Sequence, residues 1–179
     1  TTFNSQETIH NVISALSSIK VEGGVELIVV DDCSVDNTVE ILKRDFPIVQ
    51  VISLSANSGG PAFPRNTAIK AAKGEFIMFC DGDDLLNLDY VKTAVDILSA
   101  GHFDLVSSKR KIIKAQNEFD IHEKIQQLKV STISYNTLSL KDRIIFSGTM
   151  VRSDRLKVGF SENRNLVGVE DYLFLLNNT

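Results

Sequence analysis

The chain has 179 residues, is 43% hydrophobic and 23% charged, and carries a formal net charge of −4. These values are typical of one globular domain with a sizeable core, and the acidic balance gives no support for nucleic-acid binding. No apolar run approaches the ~20 residues of a membrane-spanning helix, and no signal peptide is predicted. Two cysteines, Cys33 and Cys80, are too few for a disulfide framework and are expected to be reduced thiols.

The hydrophobic pattern predicts an alternation of helices and strands. A capping box, Asn4-x-x-Glu7, predicts a first helix with Ile9 and Val12 on its inner face. The next elements in chain order are predicted as a strand at 26–30, a helix at 36–44 capped by Ser34 or Asp36, a strand at 49–54, a helix at 65–73, a strand at 76–80, a helix from Asn87 to Gly101 and a strand at 104–113. Such alternation predicts an α/β fold with a mostly parallel sheet and right-handed crossovers.

The pattern weakens after residue 113. Residues 130–135 and 148–151 are predicted as strands, and residues 168–176 as a helix with Glu170 and Asp171 in its first turn. The basic cluster at 109–111 and 114 is predicted to be a solvated strand face, and residues 115–139 carry no readable motif.

Three carboxylates directly follow the apolar run at 76–80: Asp81, Asp83 and Asp84. Carboxylates at the C-terminal end of a strand face the crevice where open α/β sheets bind ligands. Asp-x-Asp offers hard oxygen ligands to Mg²⁺ or Mn²⁺ held jointly with a diphosphate. The same residues also suit an ordinary turn, so this motif alone decides nothing.

Four further features accompany it, and each has a structural as well as a functional interpretation. Asp31-Asp32 ends the first predicted strand. Helix capping explains one acidic residue in this segment, such as Asp36, but it does not explain two more at the strand end. Residues 57–66 form a glycine loop that leads to Arg65 at the predicted helix start, which suits phosphate, although glycines also serve positive φ. Thr2-Phe3-Asn4 opens the chain, and Glu170-Asp171 opens the last helix, where acidic side chains also complement the helix dipole.

In this order the motifs resemble those of the family 2 glycosyltransferases, which have the GT-A fold. The matching segments are Thr2-Phe-Asn4, Val29-Val-Asp-Asp-Cys-Ser-Val-Asp-Asn-Thr38, Asn57-Ser-Gly-Gly60, Pro64-Arg-Asn66, Lys73-Gly-Glu-Phe-Ile-Met-Phe-Cys-Asp-Gly-Asp-Asp84 and Glu170-Asp171. They cover nearly the whole chain and are jointly highly specific. Cys33 stands where the family usually has glycine, which puts the geometry of that turn in question. The Cys33 and Pro64 variants also look like those of enzymes that decorate cell-wall polymers.

The resemblance implies a role for each matching residue. Nucleotide-sugar binding would involve Phe3 stacking on the base with Thr2 beside it, Asp32 hydrogen-bonding the base, Arg65 contacting the diphosphate and Asp81 facing the ribose. Asp83 would bind the metal, Mn²⁺ or Mg²⁺, and Asp171 would be the general base. Asn4, Gly59, Gly60 and Glu170 would support the site.

The resemblance also implies one GT-A catalytic domain over 1–179, trimmed at both ends and lacking the family's first strand. Residues 1–113 would bind the nucleotide sugar and residues 114–179 would form the acceptor side. The implied activity is transfer of a sugar, from a UDP-sugar in the usual case, to a hydroxyl of a glycan or glycopolymer acceptor, with inversion, in cell-wall or surface-polysaccharide synthesis. The implied location is the cytoplasm or the inner face of the membrane. An exposed sheet edge would favour self-association.

Two other classes of function are alternatives to a glycosyltransferase. A non-catalytic nucleotide-sugar-binding module would keep the fold and lose turnover, against which Asp83 and Asp171 speak. A dinucleotide-binding oxidoreductase is disfavoured because Gly59-Gly60 lacks the G-x-G-x-x-G spacing and no such motif follows the first strand.

Overall fold

The computed structural model describes residues 1–108 and 146–178. The described strands are β1 (Ile28–Asp31), β2 (Gln50–Ser53), β3 (Phe76–Met78), β4 (Leu105–Val106) and β5 (Met150–Arg152). The described helices are α1 (Ile9–Ser17), α2 (Thr38–Asp45), α3 (Ala62–Ala71), α4 (Leu88–Ser99) and α5 (Glu170–Asn178), with 3₁₀ turns at Ser153–Arg155 and Arg164–Leu166. None of the helices in these two segments is both long and apolar enough to cross a membrane.

The described strands form two sheets. β1 pairs with β2 in parallel, and β5 lies antiparallel between β3 and β4. Thr1 and Thr2 lie between the sheets: Thr2 makes a parallel bridge to Asp31, while the Thr1 nitrogen donates to the Cys80 carbonyl and the Thr1 carbonyl accepts from the Gly82 N–H. The Thr1 pattern is that of a parallel pair, so the four strands β1 to β4 share one direction and β5 opposes them. The prediction of a mostly parallel α/β arrangement is confirmed.

One detail of the sheet prediction is wrong. The strands that end near residues 30, 54 and 80 were expected in a single sheet, but β3 does not pair with β1 or β2. Among the described residues, Thr1 and Thr2 link the two sheets through backbone hydrogen bonds. Since each residue offers one N–H and one C=O, this two-residue segment joins the sheets only at the ends of β1 and β3. Self-association through the exposed edge stays a prediction.

Two predicted N-terminal capping motifs, at Asn87 and at Asn4, have different outcomes in the structure. Asn87 caps α4 as predicted, since its side chain accepts from the Asp89 and Tyr90 amides, and Gly101 follows the helix with φ of 78°. The capping box at Asn4 is wrong: α1 begins at Ile9, and the Asn4 side chain accepts instead from the Val35 amide. Asn4 serves the neighbouring loop because it lies four residues too early for the helix.

The helix after the glycine loop also begins earlier than predicted. α3 starts at Ala62, three residues before Arg65, with Pro64 in its first turn. Proline fits there because first-turn amides have no partner within the helix. Of the predicted strand at 104–113, the described part is Leu105–Val106. The predictions for 109–111, 114, 115–139 and 130–135 and for the boundary at 113/114 lie outside the described residues.

Four phenylalanines form the core beneath the carboxyl end of β3: Phe79, Phe146, Phe160 and Phe174. The Phe160 and Phe174 rings stack with centroids 4.2 Å apart, and the other pairs are tilted or edge-to-face. Burial of such a ring stabilises a fold by about 1.5–3 kcal/mol. The cluster joins α5 to the loop after β3 and gives that end of the domain a rigid base.

Candidate active site

The acidic motifs after β1 and β3 lie at one edge of the fold. The Asp32 N–H donates to the Thr2 carbonyl at 2.9 Å, and the Gly82 N–H donates to the Thr1 carbonyl at 3.0 Å. Thr1 and Thr2 therefore tie the two strand ends side by side. This agrees with the expected convergence of the first acidic motif and the Asp-x-Asp motif.

The carboxylates after β1 are held by donors from the protein itself. Asp31 is 1% exposed and accepts from the amide and the hydroxyl of Ser34. Asp32 is 6% exposed and accepts from the amide of Ser58 at 2.8 Å and from its hydroxyl at 3.0 Å. The sequence interpretation missed Ser58, although its place beside the glycine pair was the available signal.

Cys33 occupies a left-handed backbone conformation with φ of 66°. This explains why the turn suits glycine, since a side chain strains the left-handed region. Both Cys33 and Cys80 are free thiols, as predicted. Burial raises the pKa of Cys80 to about 11, so that thiol stays protonated at neutral pH.

The N-terminal tripeptide lies beside this turn. The Asn4 N–H donates to the Ser34 hydroxyl, which fixes the segment and leaves the preceding Phe3 ring 49% exposed at the crevice edge. Thr2 is 5% exposed, and its hydroxyl is a buried group without a hydrogen-bond partner in the described part of the chain. A Cβ at Gly82 would lie 2.9 Å from that hydroxyl oxygen, so a side chain there would force Thr2 to shift. The sequence interpretation did not single out Gly82.

Arg65 joins two of the predicted site residues. One of its terminal nitrogens donates to Asp171, and the other lies 3.1 and 3.3 Å from the two carboxylate oxygens of Asp81. The expectation that Arg65 begins a helix and faces phosphate is wrong in its first part, because α3 starts at Ala62 and Arg65 is 4% exposed. Its contact with the diphosphate stays a prediction.

Asp171 lies in the first turn of α5 with its side chain about one-third exposed. Burial raises the pKa of Asp171 to about 6; Glu170 and Asp81 act in the same direction, while Arg65 opposes them. Burial is the largest of these causes, and the favourable effect of the helix dipole on the carboxylate stays a prediction. A carboxyl group with this pKa is largely ionised at neutral pH, close to the ideal for a general base.

Glu170 has a supporting position. It is 5% exposed and accepts from the N–H of Gly168, whose φ is 91°. This contact closes the turn that leads into α5. Glu170 thereby fixes the start of the helix that carries Asp171.

Asp83 is exposed to solvent. In residues 1–108 and 146–178, no three histidine, cysteine, aspartate or glutamate side chains come together to hold a metal ion. This donor set fits a cation such as Mg²⁺ that keeps several waters and shares its other ligands with substrate phosphates. It does not fit a cation enclosed by protein ligands.

The glycine loop faces a segment that the sequence interpretation missed. Gly59 has φ of 80°, and the Arg164 guanidinium carbon lies 3.6 Å from where a Cβ at that position would be. A Cβ at Gly60 would lie 3.2 Å from Val167. Gly60 thus allows the loop to approach Val167 closely, whereas Gly59 meets Arg164 at an ordinary contact distance and is favoured there by its positive φ.

Comparison with known proteins fits this geometry. The sequence profile described as Glycosyl transferase family 2 matches residues 1–162. The chain belongs to this family. Curated relatives include the Poly(ribitol-phosphate) beta-N-acetylglucosaminyltransferase TarS of Staphylococcus aureus (39% identical over 115 residues, 62% of this chain and 20% of TarS). Another is the Poly(ribitol-phosphate) beta-glucosyltransferase of Bacillus spizizenii (35% identical over 118 residues, 64% of this chain and 19% of the relative).

A solved structure is similar to nearly the whole of this chain. The crystal structure of S. aureus TarS 1–349 in complex with UDP matches with a TM-score of 0.74 and 31% identity, over 97% of this chain and 51% of the TarS chain. The fold is therefore GT-A, as predicted. The chain spans about half of that TarS structure, and its aligned part spans about a fifth of the curated relatives.

Proposed function

We propose that this chain carries the donor site and the catalytic base of a glycosyltransferase that moves a sugar from a UDP-sugar to a hydroxyl of a cell-wall glycopolymer. The observation that carries the proposal is Asp171, a carboxylate with a pKa of about 6, joined through Arg65 to Asp81 at the edge where Phe3 is exposed. A general base and a donor-side carboxylate lie together there. The names of the relatives, poly(ribitol-phosphate) transferases, support the polymer acceptor.

The donor would lie across the ends of β1 and β3. Phe3 offers an exposed ring for stacking on the base, with Thr2 beside it, and Asp32 offers an acceptor whose position Ser58 fixes. Asp81 would face the ribose. Gly59 and Gly60 would support the site, Gly60 by letting the loop approach Val167 closely and Gly59 through its positive φ.

A divalent cation, Mg²⁺ or Mn²⁺, would bind at Asp83 together with the diphosphate. As a Lewis acid it would stabilise the negative charge that develops on the departing UDP, a contribution of several kcal/mol. The exposed position of Asp83 leaves the coordination sites that water and phosphate oxygens would fill.

Asp171 would take the proton of the acceptor hydroxyl while that oxygen attacks the anomeric carbon. The bond between this carbon and the UDP oxygen breaks, and UDP leaves with the electron pair. Attack from the face opposite UDP inverts the anomeric centre. General-base catalysis of this kind contributes about 10² to 10⁴ in rate.

The test begins with calorimetric binding of UDP, UDP-GlcNAc, UDP-glucose, GDP and NAD, in EDTA and in Mn²⁺. We expect the uridine nucleotides to bind more tightly in Mn²⁺, because carboxylates near a diphosphate repel it unless a cation intervenes. Asp83→Ala should remove the gain, and the exposed Asp96→Ala on α4 is the matched control. Equal UDP affinity in both buffers would count against the metal role.

Turnover is the second stage. UDP release is followed with the donors that bind and with poly(ribitol phosphate) as acceptor. Release that depends on the acceptor supports the transferase proposal. Tight UDP-sugar binding without any turnover would instead point to a non-catalytic binding module, and preferential binding of NAD would reject both.

A further inference from the structure

The guanidinium of Arg65 is enclosed by protein on all but one side. The residue is 4% exposed, and its guanidinium carbon lies 4.8 Å from the Phe146 ring centroid and 5.3 Å from that of Phe160. The remaining side faces Asp171 and Asp81. Phe146 and Phe160 also belong to the phenylalanine cluster, so the rigid core itself sets the direction of this side chain.

We propose that Arg65 is a positioning residue, which holds Asp171 and Asp81 in one arrangement across the crevice, and that it is not a ligand of the donor diphosphate. This inference rests on the proposed function only where it treats Asp171 as the base. The structural part concerns the two ion pairs and stands by itself.

The charges around Arg65 require a fixed cation. Asp171 comes from α5 and Asp81 from the loop after β3, so two carboxylates share one guanidinium, and the negative charge of Glu170 acts on Asp171 as well. Without Arg65, Asp171 and Asp81 would repel each other, and the proton would be held more tightly on Asp171. A planar guanidinium can serve two carboxylates with different N–H groups, whereas a lysine ammonium is a single point charge.

The same geometry argues against a diphosphate contact. To reach a phosphate, Arg65 would have to leave Asp171 or Asp81 and move away from the two aromatic rings that it contacts. The carboxylate left behind, about two-thirds buried in either case, would lose its cation, which is unfavourable. A residue that already has partners on its open side is better suited to orient them than to bind a substrate.

The decisive experiment titrates Asp171 by carbon-detected NMR in the 179-residue chain with ¹³C-labelled aspartate, comparing wild type with Arg65→Met. We expect the pKa of Asp171 to rise by at least ~1 in the variant, because an adjacent arginine lowers a carboxyl pKa by about 1–3. Calorimetry should show the UDP Kd changed by less than about threefold. Transfer from the UDP-sugar that turns over should fall about 100-fold, the effect of a misplaced reacting group, and the acidic limb of its pH profile should move to higher pH.

Arg152→Met is the matched control. Arg152 also lies in an ion pair, with Asp154 at 3.0 Å, and its guanidinium carbon lies 6.0 Å from the Phe76 ring centroid. It pairs in register with Phe76 at the start of β3, whereas the site lies beyond the end of that strand. This variant should leave the Asp171 titration, UDP binding and transfer unchanged.

Arg65→Lys is a second variant that tests the same proposal if Arg65→Met does not fold. One ammonium cannot bridge both carboxylates, so transfer should fall at least ~10-fold while the UDP Kd stays within about threefold of the wild-type value.

Full transfer by Arg65→Lys would overturn the proposal. An unchanged Asp171 titration in Arg65→Met together with a UDP Kd weakened more than ~10-fold would also overturn it and assign Arg65 to the diphosphate. Absence of transfer in the wild type would refute the proposed function alone, since the titration still decides on Arg65.

Discussion

Asp31 and Asp32, which follow one strand end, differ from Asp81 and Asp171 in what holds them. The first pair accepts amide and hydroxyl hydrogen bonds from Ser34 and Ser58. The second pair shares one guanidinium, and burial raises the pKa of Asp171 to about 6. Carboxylates that are satisfied by neutral donors fix a loop, whereas carboxylates that compete for one cation remain available for proton transfer.

The strongest test of this comparison removes the acid–base group. Asp171→Asn should lower transfer by about 10² to 10⁴, the usual contribution of a general base, with UDP binding almost unchanged. Steady-state rates and calorimetry measure the two effects. Glu170→Gln should cost less, because Glu170 supports the turn at Gly168. Near-full turnover by Asp171→Asn, or loss of donor binding instead, would remove Asp171 as the base.

The opposite test removes a structural carboxylate. Asp31→Ala should lower the free energy of unfolding by about 1–3 kcal/mol, because two partly buried donors of Ser34 lose the acceptor that the buried Asp31 provides. Asp83→Ala should change it by less than about 0.5 kcal/mol, since Asp83 is exposed. Urea denaturation of both variants measures the difference. Equal free energies of unfolding for the two variants would mean that Asp31 contributes no more to stability than the exposed Asp83.

The pH dependence sharpens the same contrast. The proposed function requires ionised Asp171 as the base, so transfer should rise with pH through about 6 and then level off. The effect on stability has the opposite sign. The folded pKa of Asp171 lies above the ordinary aspartate value of 3.8, so the folded state binds more protons than the unfolded state between about pH 4 and 6, and stability falls as pH rises through this window. Thermal melts of wild type should therefore show this loss of stability between about pH 4 and 6, and Asp171→Asn should lack this contribution to the pH dependence.

The smallest effect is expected at Cys33, in the turn that directly follows Asp31 and Asp32. Cys33→Gly should raise the free energy of unfolding by up to about 1 kcal/mol, because glycine adopts φ of 66° without strain. Its greater freedom in the unfolded chain reduces the gain. Cys80→Ser is the comparison without a left-handed backbone. Destabilisation by Cys33→Gly would show that the thiol side chain stabilises the turn more than the strain costs.

Local signals predicted much of this architecture. The Asn87 cap, the strand that ends at Asp31, the strand that ends before Asp81 and the helix that starts at Glu170 all depend on residues nearby in the sequence. The capping box at Asn4 failed for the same reason that such signals are limited. Asn4 found a partner at Val35, and its sequence neighbours carry no information about that contact.

The sequence by itself determined that acidic residues end two strands, that a glycine loop precedes a helix and that the order of motifs is that of glycosyl transferase family 2. These features follow from short-range hydrophobic pattern and turn chemistry. Only the tertiary structure decided that Arg65 joins Asp171 to Asp81, across 106 residues of chain in one case and 16 in the other. It also decided that burial raises the pKa of Asp171, because desolvation depends on what packs around a group and no neighbour in the sequence can supply it.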